Sequence, residues 1–175
     1  MATWTVSKGD YIRPYGKCRI KEYPVHVSQT IRKGDPVVLA GAGYENRIIL
    51  WGGSATSGFV GIAAEAITTT STHDASTDHI LVYCADPGAK FVGRTVADDA
   101  VDFSDIGVRV ELEADATYEI YRVETDGVTT EVVEVLEYLS PDTRNVQATE
   151  GDVSALCVFT FLPGASIFIP TVLAA

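Results

Sequence analysis

The densest group of potential metal or acid-base donors is THDASTDH at residues 72–79, which offers His73, Asp74, Asp78 and His79 within seven positions. Imidazole and carboxylate suit a divalent cation, and a loop can fold such donors round one ion, so a metal-assisted hydrolase is one function class to weigh. The spacing matches neither the HExxH pattern nor an EF-hand loop, and His79 reads as the start of a strand while His73 stays in a polar loop. The plain reading is a solvated loop. A second acidic group, Asp98, Asp99, Asp102 and Asp105, surrounds Val101 and Phe103, with no glycine at the bend that a calcium loop requires. His26 lies between Val25 and Val27 with no nucleophile nearby, which suits a structural histidine better than a general base.

Other catalytic signatures are missing: the chain has no GxSxG, Walker or GxGxxG pattern. The glycine-rich stretches GAG at 41–43 and WGGSATSG at 51–58 have no following helix to hold a phosphate, so they read as tight turns. The corner IRKGDPVVLAGAG at 31–43 is likewise a turn: glycine supplies backbone freedom, aspartate can hydrogen-bond nearby amides, and proline opens the next strand. Cys18, Cys84 and Cys157 are odd in number and widely spaced, which indicates reduced thiols rather than a zinc site or a disulfide framework. No cofactor is implied.

The elements that would position these groups read as mainly β. Short runs of Val, Ile, Thr, Tyr and Phe recur between Gly, Pro, Asp and Ser, and helix-period segments are scarce. Expected strands cover residues 22–27, 36–39, 48–51, 59–66, 80–84, 108–113, 118–123, 153–161 and 166–169. Residues 130–139 fit a helix face through Val132, Leu136 and Leu139, but their β-branched content favours a strand. The Asp-Gly pair in ETDG at 124–127 predicts a hairpin joining 118–123 to 128–136. The uncharged stretch 153–175 is long enough to span a bilayer, yet Pro163, Gly164 and Pro170 break it, so two strands joined by a turn are expected and no membrane partner. No secretory signal pattern is expected at the start.

Length bounds the architecture: 175 residues suit one domain with a real core. With 46% hydrophobic and 21% charged residues the chain is neither disordered nor collagen-like. Its formal charge of -11 disfavours direct binding to nucleic acid. The charge is uneven, because residues 1–33 carry seven bases against two acids, leaving the remainder at -16. The expectation is a compact β-barrel or β-sandwich-like domain over residues 24–175, preceded by an extended basic and aromatic arm over residues 1–23 that docks on a complementary surface.

Several segments in order then carry a likeness: YPVHVSQTIRKGDPVVLAG at 23–41, GFVGIAAEAI at 58–67, HILVYCADPGAKFVGRTV at 79–96, FSDIG at 103–107 and VVEVLEYLSPDTRNV at 132–146. This pattern resembles the auxiliary head proteins of tailed bacteriophages, the decoration or cement proteins that sit outside a capsid shell. The resemblance covers roughly residues 22 to 160 and rests on no catalytic motif. It implies a non-enzymatic virion structural protein, made in the host cytoplasm and bound to the outer capsid surface. Its partners would be the major capsid protein and other copies of itself, commonly as a trimer and sometimes as a dimer. Such proteins often use an extended terminal arm to join a capsid strand, which makes Trp4, Lys8, Tyr11, Arg13, Tyr15, Lys17, Arg19 and Lys21 the candidate contact residues. A carbohydrate- or host-surface-binding β module is the other non-catalytic class open to the sequence, alongside the hydrolase built on residues 73–79.

Overall fold

A computed structural model of the chain describes residues 11–41, 46–55, 57–74, 76–96, 100–117, 119–126, 128–140, 146–153 and 155–168. Through them run thirteen strands. The first eight are β1 (Arg13–Pro14), β2 (Ile20–Pro24), β3 (Thr30–Ile31), β4 (Pro36–Leu39), β5 (Ile48–Leu50), β6 (Phe59–Ala63), β7 (Ile67–Thr68) and β8 (His79–Cys84). The rest are β9 (Phe91–Arg94), β10 (Arg109–Asp115), β11 (Ile120–Glu124), β12 (Val133–Leu139) and β13 (Leu156–Phe161), with one 3-10 turn at Phe103–Asp105. The mainly β reading holds.

Five strands form one sheet in the order β2-β8-β6-β4-β5, with every pairing antiparallel. The sheet curls until the continuation of β2 reaches β5: Val25 bridges Ile48, and His26 N donates to Ile48 O at 2.9 Å. Inside the curl Tyr23, Val25, Val37, Ile48, Val60, Ile80, Val82 and Cys84 are buried as one apolar cluster. The second sheet runs β1-β9-β13-β12-β10-β11 and also bends back on itself, with Val96 N donating to Val123 O at 3.0 Å.

The larger core lies between the sheets. Val38, Phe59 and Ile62 of the first pack with Phe91, Val110, Leu112, Tyr121, Val123, Phe159 and Phe161 of the second. This explains why β6 is buried at all five positions: Val60 and Ala63 turn to the small core while Phe59 and Ile62 turn to the large one. Aromatic rings form the centre, with Phe59 and Phe161 centroids 4.9 Å apart and Trp51 5.3 Å from Phe59. Each such pair adds ~1 kcal/mol beyond its buried area.

Four expectations need correction. The Asp-Gly hairpin does not form: β10 lies between β11 and β12 and pairs with both, so the chain crosses over β10 after Glu124. The tight hairpin is β10–β11 instead, with Asp115 opposite Ile120 and Glu119 at a φ of 58°. Residues 166–169 are not a strand: Ile167 N donates to Phe59 O and Ser166 Oγ to Ala85 O, after which the chain turns, and Ile169 lies outside the described residues. The polar loop holding His73 is not simply solvated: Asp78 within it is buried, and just before it Thr68 pairs with Thr30 and Thr69 is buried.

The expected arm over residues 1–23 is the fourth. Residues 1–10, with Trp4 and Lys8, lie outside the described residues, but from Tyr11 onward the segment supplies β1 and β2, with residues 15–19 connecting them. Arg13 pairs with Val92, Lys21 with Val82 and Tyr23 with Ile80, while Ile12 is 1% exposed in the large core. Burying Ile12 against Gly93, where a side-chain carbon would approach Ile12 Cγ1 to 3.0 Å, draws this stretch into the domain.

Candidate functional site

The basic segment from Tyr15 to Lys21 is a largely exposed stretch of chain running from β1 into β2. Tyr15 follows β1, its N donating to Lys90 O at 2.8 Å, and the residue is 36% exposed. Lys17, Arg19 and Lys21 are exposed along the approach to β2 and on it. Arg19 is committed within the chain: its Nε donates to Asp86 Oδ2 at 2.8 Å, a second donor reaches Oδ1, and its guanidinium lies 4.7 Å from the Phe168 ring centroid. Lys21 Nζ sits 4.9 Å from the Tyr23 ring. Tyr11 is half-buried, with Lys33 Nζ 5.0 Å from its ring. Arg13 is half-buried in β1. Of the candidate contacts within the described residues, Tyr15, Lys17 and Lys21 are thus the ones presented outward, and Tyr11, Arg13 and Arg19 serve the fold as well.

Beside the strip lies a feature that sequence reading missed. Ile20 is 52% exposed and Leu81, diagonal to it across the β2–β8 ladder, is 41% exposed. The signal was the alternation RIKEYP at 19–24, which places Ile20 and Glu22 on one face and Arg19, Lys21 and Tyr23 on the other. Starting the strand at residue 22 hid it.

The KGD corner is structural. Gly34 has a φ of 91°, and a Cβ there would fall 2.4 Å from Tyr11 Cβ, so only glycine permits the contact. Arg32 N donates to Asp35 Oδ2 at 2.7 Å, closing the turn. Asp35 is 3% exposed, and burial pushes its carboxyl up to about 6, opposed by the Arg32 amide and charge. A native value above the unfolded one means the native state holds the proton more tightly. Stability therefore falls as pH rises from about 4 through 6, by ~3 kcal/mol in full. Asp35→Asn keeps an acceptor for the Arg32 amide and removes the buried charge. Urea unfolding should find this variant more stable than the native chain at pH 7.5 and close to it at pH 4; a variant less stable at pH 7.5 contradicts the assignment.

A cleft of about 280 Å3 opens beside this corner, lined by Arg32, Asp35, Leu50, residues 114–116 and residues 119–121. It falls just below the usual size of small-molecule sites. Its polar groups are engaged: Arg32 meets Glu119 at 3.2 Å, and Tyr121 Oη donates to Trp51 O. Burial, with the Asp35 charge behind it, pushes Tyr121 up to about 12, so the phenol stays protonated.

The donors at 72–79 do not converge. Asp74 Oδ1 accepts from Ser76 N at 2.8 Å and from Ser76 Oγ at 2.6 Å, while Asp78 Oδ2 accepts from Asp74 N at 2.7 Å. His73 Nδ1 lies 3.5 Å from Asp78, and His79 sits on β8 opposite Pro24. Among the described residues no three His, Cys, Asp or Glu side chains gather as a metal requires. Asp98 and Asp99 lie outside the described residues; Asp102 caps the 3-10 turn through Ser104 N, and Asp105 accepts from Tyr138 Oη at 3.2 Å. His26 is fixed through its backbone, with Thr69 Oγ1 donating to His26 O at 2.7 Å.

The three thiols are free and unsuited to act as nucleophiles. Burial pushes Cys18 up to about 11 and moves Cys84 and Cys157 in the same direction, which keeps the thiolate scarce at neutral pH. No helix among the described residues is long and apolar enough to cross a membrane. Compared with known proteins, the chain matches no family model, no curated sequence and no solved structure.

Proposed function

We propose that this chain is a non-enzymatic structural protein that decorates the outside of a phage capsid and stabilises it by bridging major capsid protein subunits. One observation carries the reading: an exposed basic and aromatic strip, Tyr15, Lys17 and Lys21, on a domain whose remaining charge is strongly acidic. Such segregation suits electrostatic docking on an acidic surface and keeps the rest of the domain pointed away from it. The order of segments between residues 22 and 160 that resembles head decoration proteins supports the choice of partner.

Bridging requires a wide contact and no turnover. A domain bound to two or more shell subunits stabilises the assembled state by mass action, and several copies joined as a trimer or dimer raise avidity without any new chemistry. Co-sedimentation with empty shells of the matching major capsid protein tests this. The chain should pellet with shells and remain soluble alone, and Lys17→Glu combined with Lys21→Glu should weaken pelleting at least tenfold in apparent affinity. A native chain that stays in the supernatant defeats the proposal.

A further inference from the structure

The β2–β8 ladder is bracketed by two bonds, Cys84 N to Arg19 O at 2.8 Å and Val25 N to Asp78 O at 2.7 Å. In an antiparallel pair alternate residues exchange both bonds, so Arg19, Lys21, Tyr23 and Val25 face β8 while the backbone groups of Ile20 and Glu22 point the other way. Among the described residues nothing pairs with that outer side.

Other sheet edges are closed by the chain itself. On β5, Ile48 O accepts from His26 N and Leu50 N donates to Gln29 Oε1 at 3.0 Å. On β11, Val123 O accepts from Val96 N. In β1 the outward residue is Pro14, which has no N–H. Among the described residues the Ile20 to Glu22 edge has no such cover, and Ile20 stands exposed on it, with Leu81 exposed on β8 behind it.

We infer that the outer edge of β2 accepts an extended segment of another protein, one that alternates acidic and apolar residues. Main-chain bonds to Ile20 and Glu22 would add it to the sheet. Its apolar side chains would lie beside Ile20, widening the exposed apolar face that Leu81 continues on β8, and its carboxylates would meet Lys21 on the other face. A second copy of β2 fits poorly: antiparallel self-pairing through these groups sets Lys21 against Lys21, Glu22 against Glu22 or, with Ile20 opposite Ile20, Lys21 against Arg19. The proposal rests on the docking reading only for the partner's identity as a capsid segment.

The test uses the full 15N-labelled chain and an eight-residue peptide alternating valine and glutamate, with a valine-lysine peptide as counterpart. The glutamate peptide should slow hydrogen exchange at the Ile20 and Glu22 amides, and the lysine peptide should not. Ile20→Pro removes an outward N–H without breaking a bond to β8 and should weaken binding at least tenfold. Lys17→Glu with Lys21→Glu, which leaves the backbone untouched, should reverse the preference between the peptides. Absence of protection at those two amides, or equal binding of both peptides, overturns the proposal. Shell pelleting separates it from the docking reading: if Ile20→Pro pellets like the native chain, the edge is not the docking element and the decoration role stands. If the native chain does not pellet, the decoration role falls and the peptide result alone decides the edge.

Discussion

Removing residues 1–21 should abolish cooperative folding rather than release an arm. The truncation takes away Ile12, 1% exposed in the large core, together with β1 and the first two residues of β2. Losing a buried isoleucine side chain alone costs ~2–5 kcal/mol, against a total domain stability of ~5–15 kcal/mol. The deletion also uncovers Phe91 and Val92, which β1 borders, and leaves the Tyr83 and Val82 positions of β8 without their partners. Circular dichroism melting of residues 22–175 should show no sharp transition, and Ile12→Ala in the full chain should lower the unfolding free energy by ~2–5 kcal/mol. A truncated chain that melts cooperatively near the native midpoint would show that residues 11–21 are not integral. Loss of partner binding on truncation could therefore not locate the docking surface, and point changes at Lys17 and Lys21 are the informative ones.

Gly61→Ala should be among the most damaging single substitutions. Gly61 has a φ of 152°, and a side-chain carbon there would lie 1.9 Å from Tyr83 O, a backbone atom of the neighbouring strand. No rotamer change relieves that approach. β6 must separate from β8 where Gly61 pairs with Cys84, and β6 is also the strand whose two faces serve both cores. A loss of ~4 kcal/mol or more in chemical denaturation is expected, at the upper end for point substitutions. A loss below ~1 kcal/mol would mean that the close approach is not a feature of the fold.

Local chemistry was readable where one face of a strand decides its role. Residues 36–39 follow from Pro36 opening a β-branched run, and 80–84 from a short continuous apolar run bounded by polar residues; both correspond closely to β4 and β8. The 130–139 run resolved as β12 because its β-branched residues pack between β10 and β13. Tertiary context decided the rest. Asp-Gly at 126–127 predicts a hairpin only if the flanking strands are neighbours, and here β10 takes that place. Residues 91–94 are not among the expected strands: Gly93 and Arg94 follow only two apolar residues, yet in β9 Gly93 makes room for Ile12 and Arg94 is buried.

The candidate site divides the same way. The basic character of the segment was visible in composition, but its partition was not: Arg19 is held by Asp86, sixty-seven residues away, and Tyr11 is held by the KGD corner. The open edge of β2 follows from ladder parity, which depends on which strand lies alongside. The tempting 72–79 cluster fails for a local reason, since Asp74 and Asp78 spend their oxygens on the loop's own amides and hydroxyl.

The proposed role requires that this domain dock on a capsid through Tyr15, Lys17 and Lys21. Titrating the native chain against a fixed amount of empty shells, and counting copies pelleted per shell subunit, tests it most directly. Docking should saturate at a fixed ratio, weaken with added salt because the contact is charged, and lose that saturation in the Lys17→Glu, Lys21→Glu double variant. No pelleting, or pelleting that never saturates and is indifferent to both changes, would contradict it.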